Sequence, residues 1–600
     1  MKFDREIIVG IVVCAVILFG WTPFARHMGW IPSNDDAPVA EQTAVKPAAD
    51  RAATAKEQTV AHAAPVPAAQ VKAAPAPAPK PEAPAAPSPA AKISIPQMPT
   101  LPGVELRNPE LLVTIDPNTG AATSFRLEKY KQSVQLQKPE GAFQIARYPE
   151  LKAPVTIDAR ALDLAFKDAS WRTAKSTILK NDGRTLALAR RIVNISTGAE
   201  LTVKQSWSLN AAGYKIDYQL AIVNSGKKPL ILPEMEIDGG SIASSQQLSG
   251  DAVRGDSHYL DFMTAAGDYT EIAADKKDEK FQAADQTPVR WAALSNKYFC
   301  TILKSGRDRE VFKLVTGRTG EIKDVNSISL AVGMALPVRE LQADEELQYS
   351  FDCYCGPKIL ANLTDFDQSA AKIMHLSWGP LNYLARAMLW FLVKLNAFIG
   401  NYGVCIIILT LLVRLIFYPI TARGNASMKK MQAVQPKVKA LREKYKDNPQ
   451  LMNSKMMELY RTEGINPFGG CLPILLQIPV FFALYSTFYG AVELRQSSFL
   501  WCRNLAAADT VAYVFSLQIN PLVLFMTALM VLQQYLTPMS MEPTQKKIML
   551  AMPVVMLFFF YDLPSGLTLY WTVSNIFSII QLRLQQRGSQ TTEAAGAAKN

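Results

Sequence analysis

Arg414 stands inside the apolar run 401–421, NYGVCIIILTLLVRLIFYPIT, with Thr410 one helical turn before it on the same face. About twenty residues suffice for a helix to cross a hydrocarbon core of roughly 30 Å. A cation at that depth costs roughly 2.5–3.5 kcal/mol, so it faces protein or water rather than lipid. Arg423 already supplies an interfacial cation for this run, which leaves Arg414 little need to snorkel. A cation so placed holds water and attracts negative charge, and Arg414 is the functional anchor of the chain. Thr568, Thr572 and Asn575 recur at helical spacing in the last apolar run, and Gln477 lies in another. Such residues either bond neighbouring helices together or join Arg414 in lining a wet cavity open to the cytoplasm. The five clustered apolar runs hold no Asp, Glu or His. That argues against a proton-coupled carrier, which needs an ionisable relay, and against an intramembrane protease, which needs a base or metal ligand. Ser565, in LPSGL, has no histidine to activate it, and there is no Walker motif. The chain is expected not to be an enzyme, with no catalytic residue, no metal site and no cofactor.

The elements that position these residues follow from an uneven composition. Of 600 residues, 63 are Lys or Arg against 52 Asp or Glu, a net +11 concentrated after Thr421 between apolar runs, as in a membrane protein. Residues 1–30 read as an uncleaved transmembrane anchor. Lys2 and Arg5 precede the apolar run 7–19, Trp21 and Trp30 follow it, and no small-x-small cleavage site lies close by. Residues 31–100 are an Ala/Pro-rich disordered linker. Residues 101–360 alternate as strands in AELTVKQSWSL and YKIDYQLAIV, broken by turns such as DPNTG and NSGKKP, and predict a large periplasmic β-sandwich. No charged or catalytic residue visibly ties that domain to the helices, so it is expected to be separable. The seven cysteines are too scattered for a disulfide framework, and bonding among Cys300, Cys353 and Cys355 stays open.

Residues 361–400 predict an amphipathic helix at the membrane surface, interrupted by Arg386 and Lys394 and marked by Trp378, Trp390 and Phe398. A transmembrane helix at 401–421 precedes a polar interval, 422–463, that is cytoplasmic by the positive-inside rule. Its apolar residues Met431, Val434, Val438, Leu441 and Tyr445 step by three and four, and Met452, Met456 and Leu459 repeat the spacing after a turn at Asp447. That is a helical hairpin whose outer faces carry Lys429, Lys430, Lys437, Lys439, Arg442 and Lys444. Residues 464–587 hold four further transmembrane helices, expected at 465–490, 511–536, 547–561 and 566–584, and 588–600 form a cytoplasmic tail. The fold class is a membrane all-α bundle, an N-terminal anchor plus a five-helix core, carrying a periplasmic all-β sandwich. Both termini are then cytoplasmic. A polytopic transporter or channel with a β receptor domain, or a structural scaffold, would use the same elements.

GNYGVCIIILTLLVRLIFYPIT, SMKKMQAVQPKVKALREKY, INPFGGCLPILLQIPVFFALY, VELRQSSF and FYDLPSGLTLYWTVSN, with RWAALSNKYF and CYCGPK in the β-domain, resemble the Gram-negative branch of the Oxa/Albino membrane-protein insertase family. The resemblance covers essentially the whole chain. It implies an inner-membrane insertase and folding chaperone, working alone or beside the Sec translocon on nascent and completed membrane-protein clients. It places Arg414 in a hydrophilic groove, with Thr410, Tyr570 and Trp571 on the groove wall. It assigns contacts with the ribosome and a targeting receptor to the hairpin.

Overall fold

The computed structural model describes residues 100–133, 143–145, 151–157, 161–243, 258–276, 278–307, 310–319, 328–376, 380–464, 472–514, 517–537 and 543–597. The expected anchor and linker lie outside the described residues.

Alternation of apolar and polar residues builds the β-domain. In Glu200–Leu209 and Lys215–Asn224 every second side chain is buried, as a strand with one face on a core requires. Seventeen strands join in one antiparallel sheet. The sheet folds back on itself, because its first hairpin meets the turn between Glu200–Leu209 and Lys215–Asn224. Asn108 Nδ2 donates to the carbonyls of Asn210 and Gly213 at 3.0 and 2.9 Å. Gln205, which accepts from Arg190 at 2.7 Å, donates to the carbonyl of Gly120 at 3.2 Å. Phe125, Trp207, Tyr218 and Phe351 are fully buried. Cys300, Cys353 and Cys355 are free and buried. Cys353 and Cys355 pair with Leu303 and Thr301 on one face of the sheet, whereas Cys300 pairs with Gly356 on the other. Cys300 therefore cannot bridge to either, and burial pushes the Cys300 and Cys353 thiols up to about 12.

The remaining elements are α1 (Asp278–Ala284), α2 (Leu360–Phe366), a 3-10 turn (Gln368–Met374), α3 (Pro380–Ile399), α4 (Tyr402–Lys444), α5 (Pro449–Thr462), α6 (Leu472–Gly490), α7 (Pro521–Leu536), α8 (Pro543–Phe560) and α9 (Ser565–Ala597). The single helix expected over 361–400 is thus two helices and a 3-10 turn. His375 ends that turn in the left-handed region, φ 45°. Its ring nitrogens lie 3.1 Å from Asp261 and 3.0 Å from Glu271. Burial opposes its charge, but the two carboxylates outweigh it and raise its pKa above the ordinary value. α3 buries Ala385, Met388, Leu389 and Leu392 and leaves Tyr383, Trp390 and Phe398 exposed, an apolar surface suited to lipid.

Three expected boundaries change. No break separates 401–421 from 422–463, because α4 runs unbroken for 43 residues, about 65 Å. The shift to polar residues marks a change of surroundings, and Ala, Met, Gln, Lys and Arg still favour helix. The helix expected from 511 begins instead at Pro521, because Ala512–Val514 forms a strand that pairs with Leu517–Ile519 on one side and with Phe143–Ile145 of the β-domain on the other. The tail expected from 588 continues α9 to Ala597. Among the described residues α4 alone is long and apolar enough to cross a membrane by length and composition, while Pro521–Leu536 and Met549–Phe560 are apolar but shorter.

The expectation that no charged residue ties the β-domain to the helices does not hold. Arg495 and Gln496, just after α6, both donate to the Lys131 carbonyl at 2.7 Å. Lys297 Nζ sits 3.8 Å above the Tyr489 ring. These ties join residues far apart in sequence, so neither half of the chain shows them.

Candidate client groove

Arg414 is half-buried on α4 and reaches α9, where its Nε donates to Ser574 Oγ at 2.7 Å and its Nη2 donates to the same oxygen. Ser574 is 1% exposed. Among the described residues no carboxylate pairs with Arg414, so its charge meets a neutral hydroxyl and is not cancelled. One turn before Ser574 on the same face of α9, Tyr570 accepts a hydrogen bond from Gln477 Nε2 of α6. Arg414, Ser574, Tyr570 and Gln477 thus form a polar layer where α4, α6 and α9 come together.

The other expected residues stand apart from that layer. Thr410, Thr568 and Thr572 are buried, and each donates back to a carbonyl four residues earlier, Ile406, Pro564 and Thr568 respectively. These hydroxyls satisfy their own helices and neither bridge helices nor line a cavity through those bonds. At about 100° per residue, Thr568, Thr572 and Asn575 lie on one side of α9, while Tyr570 and Ser574 lie about 100–160° around the helix from them. The helix carries two polar stripes, and Arg414 meets the one that holds Tyr570 and Ser574, not the one whose spacing stands out in the sequence. Asn575 is buried, and its Nδ2 has no hydrogen-bond partner among the described residues. Trp571 packs edge-on against Phe481 and Phe560, centroids 6.1 and 5.5 Å away, and so pins α9 to α6 and α8. Ser574 is the residue sequence reasoning missed. Its only signal is the i, i+4 spacing from Tyr570.

On the outer side of the layer, Leu411, Leu412, Leu415 and Ile416 of α4 are exposed. α4 thus presents exposed apolar side chains on one face and the Arg414 cation beside it.

The hairpin is built as its stripe requires. Val434, Val438 and Met456 are buried, with Met431, Leu459 and Tyr460 packed around them. Asn448 caps α5 by accepting from the Leu451 amide at 3.1 Å. Lys437 bonds Glu463 at 2.7 Å and ties the two arms. Lys429, Lys430, Lys439 and Lys444 are exposed, and Arg442 is half-buried on the same arm.

Comparison with known proteins gives these features a context. The family described as the 60Kd inner membrane protein matches residues 394–592, and that described as the YidC periplasmic domain matches residues 103–391. A solved structure described as an active YidC insertase with its first transmembrane domain resolved aligns over 81% of this chain and 93% of its own, at 18% identity and a TM-score of 0.33. The membrane protein insertase YidC of Geobacter sulfurreducens is 34% identical over 398 residues, 66% of this chain and 70% of the relative. That of Oleidesulfovibrio alaskensis is 30% identical over 605 residues, 96% of this chain and 98% of the relative. The chain is accordingly an inner-membrane protein whose β-domain is periplasmic, and it belongs to the YidC family of membrane protein insertases.

Proposed function

We propose that this chain moves hydrophobic segments of membrane-protein clients, nascent or completed, from a hydrophilic inner-leaflet groove into the bilayer, alone or with the Sec translocon. The observation that carries the reading is Arg414, a half-buried cation that shares a layer with Ser574, Tyr570 and Gln477 and has no carboxylate partner among the described residues. Such a layer lets the polar flank of a client descend partway without facing hydrocarbon. Arg414 draws acidic residues of that flank, and the apolar segment then passes along the exposed leucines of α4 into lipid. Burial at about 25 cal/mol per Å² of apolar surface drives the transfer, so no nucleotide is needed. In this topology both termini and the hairpin are cytoplasmic, and α3 lies along the outer surface of the membrane. The expected result is that proteoliposomes holding only this protein insert a small single-span client. Solute flux without insertion would instead favour a channel.

The hairpin is the docking arm for the ribosome and a targeting receptor. Its exposed lysines suit a polyanionic partner through salt-sensitive contacts. Because Lys437 also holds the two arms together, Lys430, Lys439 and Lys444 test docking more cleanly. Their joint replacement by glutamate should weaken ribosome co-sedimentation about tenfold at low salt, with a shallower salt dependence. Binding that stays the same across a salt series removes this role.

A further inference from the structure

The segment 491–510, between α6 and α7, touches the starts of both helices that meet at Arg414. Phe499 lies against Gly403 at the start of α4, where a Cβ would collide with Cβ, Cγ and Cδ2 of Phe499. Phe499 and Cys502 exchange backbone hydrogen bonds at 2.8 and 2.9 Å across a tight turn. Leu500, in that turn, takes φ 52°, a conformation a leucine holds only when its surroundings enforce it. The turn leaves Leu500 73% exposed.

The same segment holds α9. The Ser565 amide donates to the Ala507 carbonyl at 2.7 Å, and the Gly566 amide donates to the Leu505 carbonyl at 2.9 Å. A Cβ at Gly566 would lie 3.1 Å from the Leu505 carbonyl and 3.3 Å from Cδ1 of Ile406 on α4. α4 and α9 therefore approach closely beside this segment, and glycine permits the approach.

We propose that the segment 491–510 is a positioning collar for the groove. Phe499 on Gly403 and the Leu505 carbonyl on Gly566 set where α4 and α9 begin, and through two stiff helices they set the spacing of α4 and α9 at the level of Arg414, and so the width of the groove there. At about 1.5 Å per residue, Arg414 lies about 16 Å along α4 from Gly403, and Ser574 about 12 Å along α9 from Gly566. Over such lengths a packed helix moves nearly as a rod, so a shift at the collar arrives at the polar layer. The inference rests on the groove reading above, and its test includes a distance measurement that does not depend on insertion.

The test is Gly403→Ala in the full chain, alone and with Phe499→Gly, with spin labels at the exposed positions Leu411 of α4 and Ile576 of α9. Gly403→Ala should displace the interlabel distance distribution and lower insertion about tenfold. Adding Phe499→Gly removes the ring and the Cβ that the new methyl meets, and should return both readouts most of the way. Phe499→Gly alone, which creates no clash, should broaden the distribution and keep the fold if Gly403→Ala does not. Unchanged distances in every variant overturn the collar. So does a loss of insertion that follows only the melting temperature and is not rescued in the double variant. Displaced distances with full insertion would overturn the groove reading, and with it the functional step proposed here.

Discussion

Arg414→Glu should nearly abolish insertion of clients with acidic translocated flanks, while Arg414→Lys retains most of it. Two unit charges about 4 Å apart at an effective dielectric near 20 interact by about 4 kcal/mol, and a partly hydrated groove delivers a fraction of that. Losing an attraction of about 1.4 kcal/mol is worth tenfold. Arg414→Ala should therefore cost such clients about tenfold, and turning attraction into repulsion about a hundredfold. Clients with short neutral flanks should be largely spared by Ala. Lysine keeps the charge and loses the planar fork. That loss is small here, because the guanidinium donates to a single hydroxyl oxygen, Ser574 Oγ. Ser574→Ala sharpens the comparison: it leaves the cation in place, so insertion should fall less than twofold. If Arg414 served only to bond α4 to α9, Ser574→Ala would match Arg414→Ala, Lys would fail with Ala, and every client would suffer equally with a lowered melting temperature. Insertion of matched clients differing only in flank charge, beside melting curves of each variant, separates the two accounts.

Arg414 is legible in the sequence because a cation inside an apolar run is costly in any helix arrangement. Ser574 is not, because a small hydroxyl is tolerated on any helix face and its partner is 160 residues away. The threonines at 568 and 572 draw the eye by their spacing, yet each satisfies the backbone of its own helix. Strands such as Glu200–Leu209 announce themselves by alternation. The closure of the sheet through Gln205 and Gly120 does not, since it depends on a contact 85 residues apart. The hairpin stripe at Val434 and Val438 is a local period and is read directly. The segment 491–510 is the opposite case. Its irregular backbone is fixed by carbonyl and ring contacts to α4 and α9, and nothing in its own residue pattern forecasts them.

Glu493→Gln should stabilise the protein at pH 8 and flatten its stability between about pH 4.5 and 7. Glu493 lies in the 3-10 turn Val492–Leu494 that follows α6. The residue is half-buried overall, but its Oε2 is sealed from solvent and has no hydrogen-bond partner among the described residues. Burial pushes the carboxyl up to about 7, because removing it from water penalises the charged form. The folded pKa is thus above the unfolded one, near 4.5. The sign follows: the folded state favours the protonated form, stability is greatest below about pH 4.5, and it declines as pH rises through 7. Above that, the buried carboxylate costs on the order of 3 kcal/mol at most, since a tenfold change in proton affinity is worth about 1.4 kcal/mol. Glutamine keeps the volume, stays neutral and offers an amide to the same space. The two proteins should melt alike near pH 4.5, and the variant should gain several degrees by pH 8. Because the turn belongs to the segment that holds α4 and α9, insertion by Glu493→Gln at pH 8 should equal or exceed that of the parent. Melting curves across pH 4.5–8.5 in one detergent decide the matter. A variant whose stability declines with pH as steeply as the parent's would show that another group carries the titration.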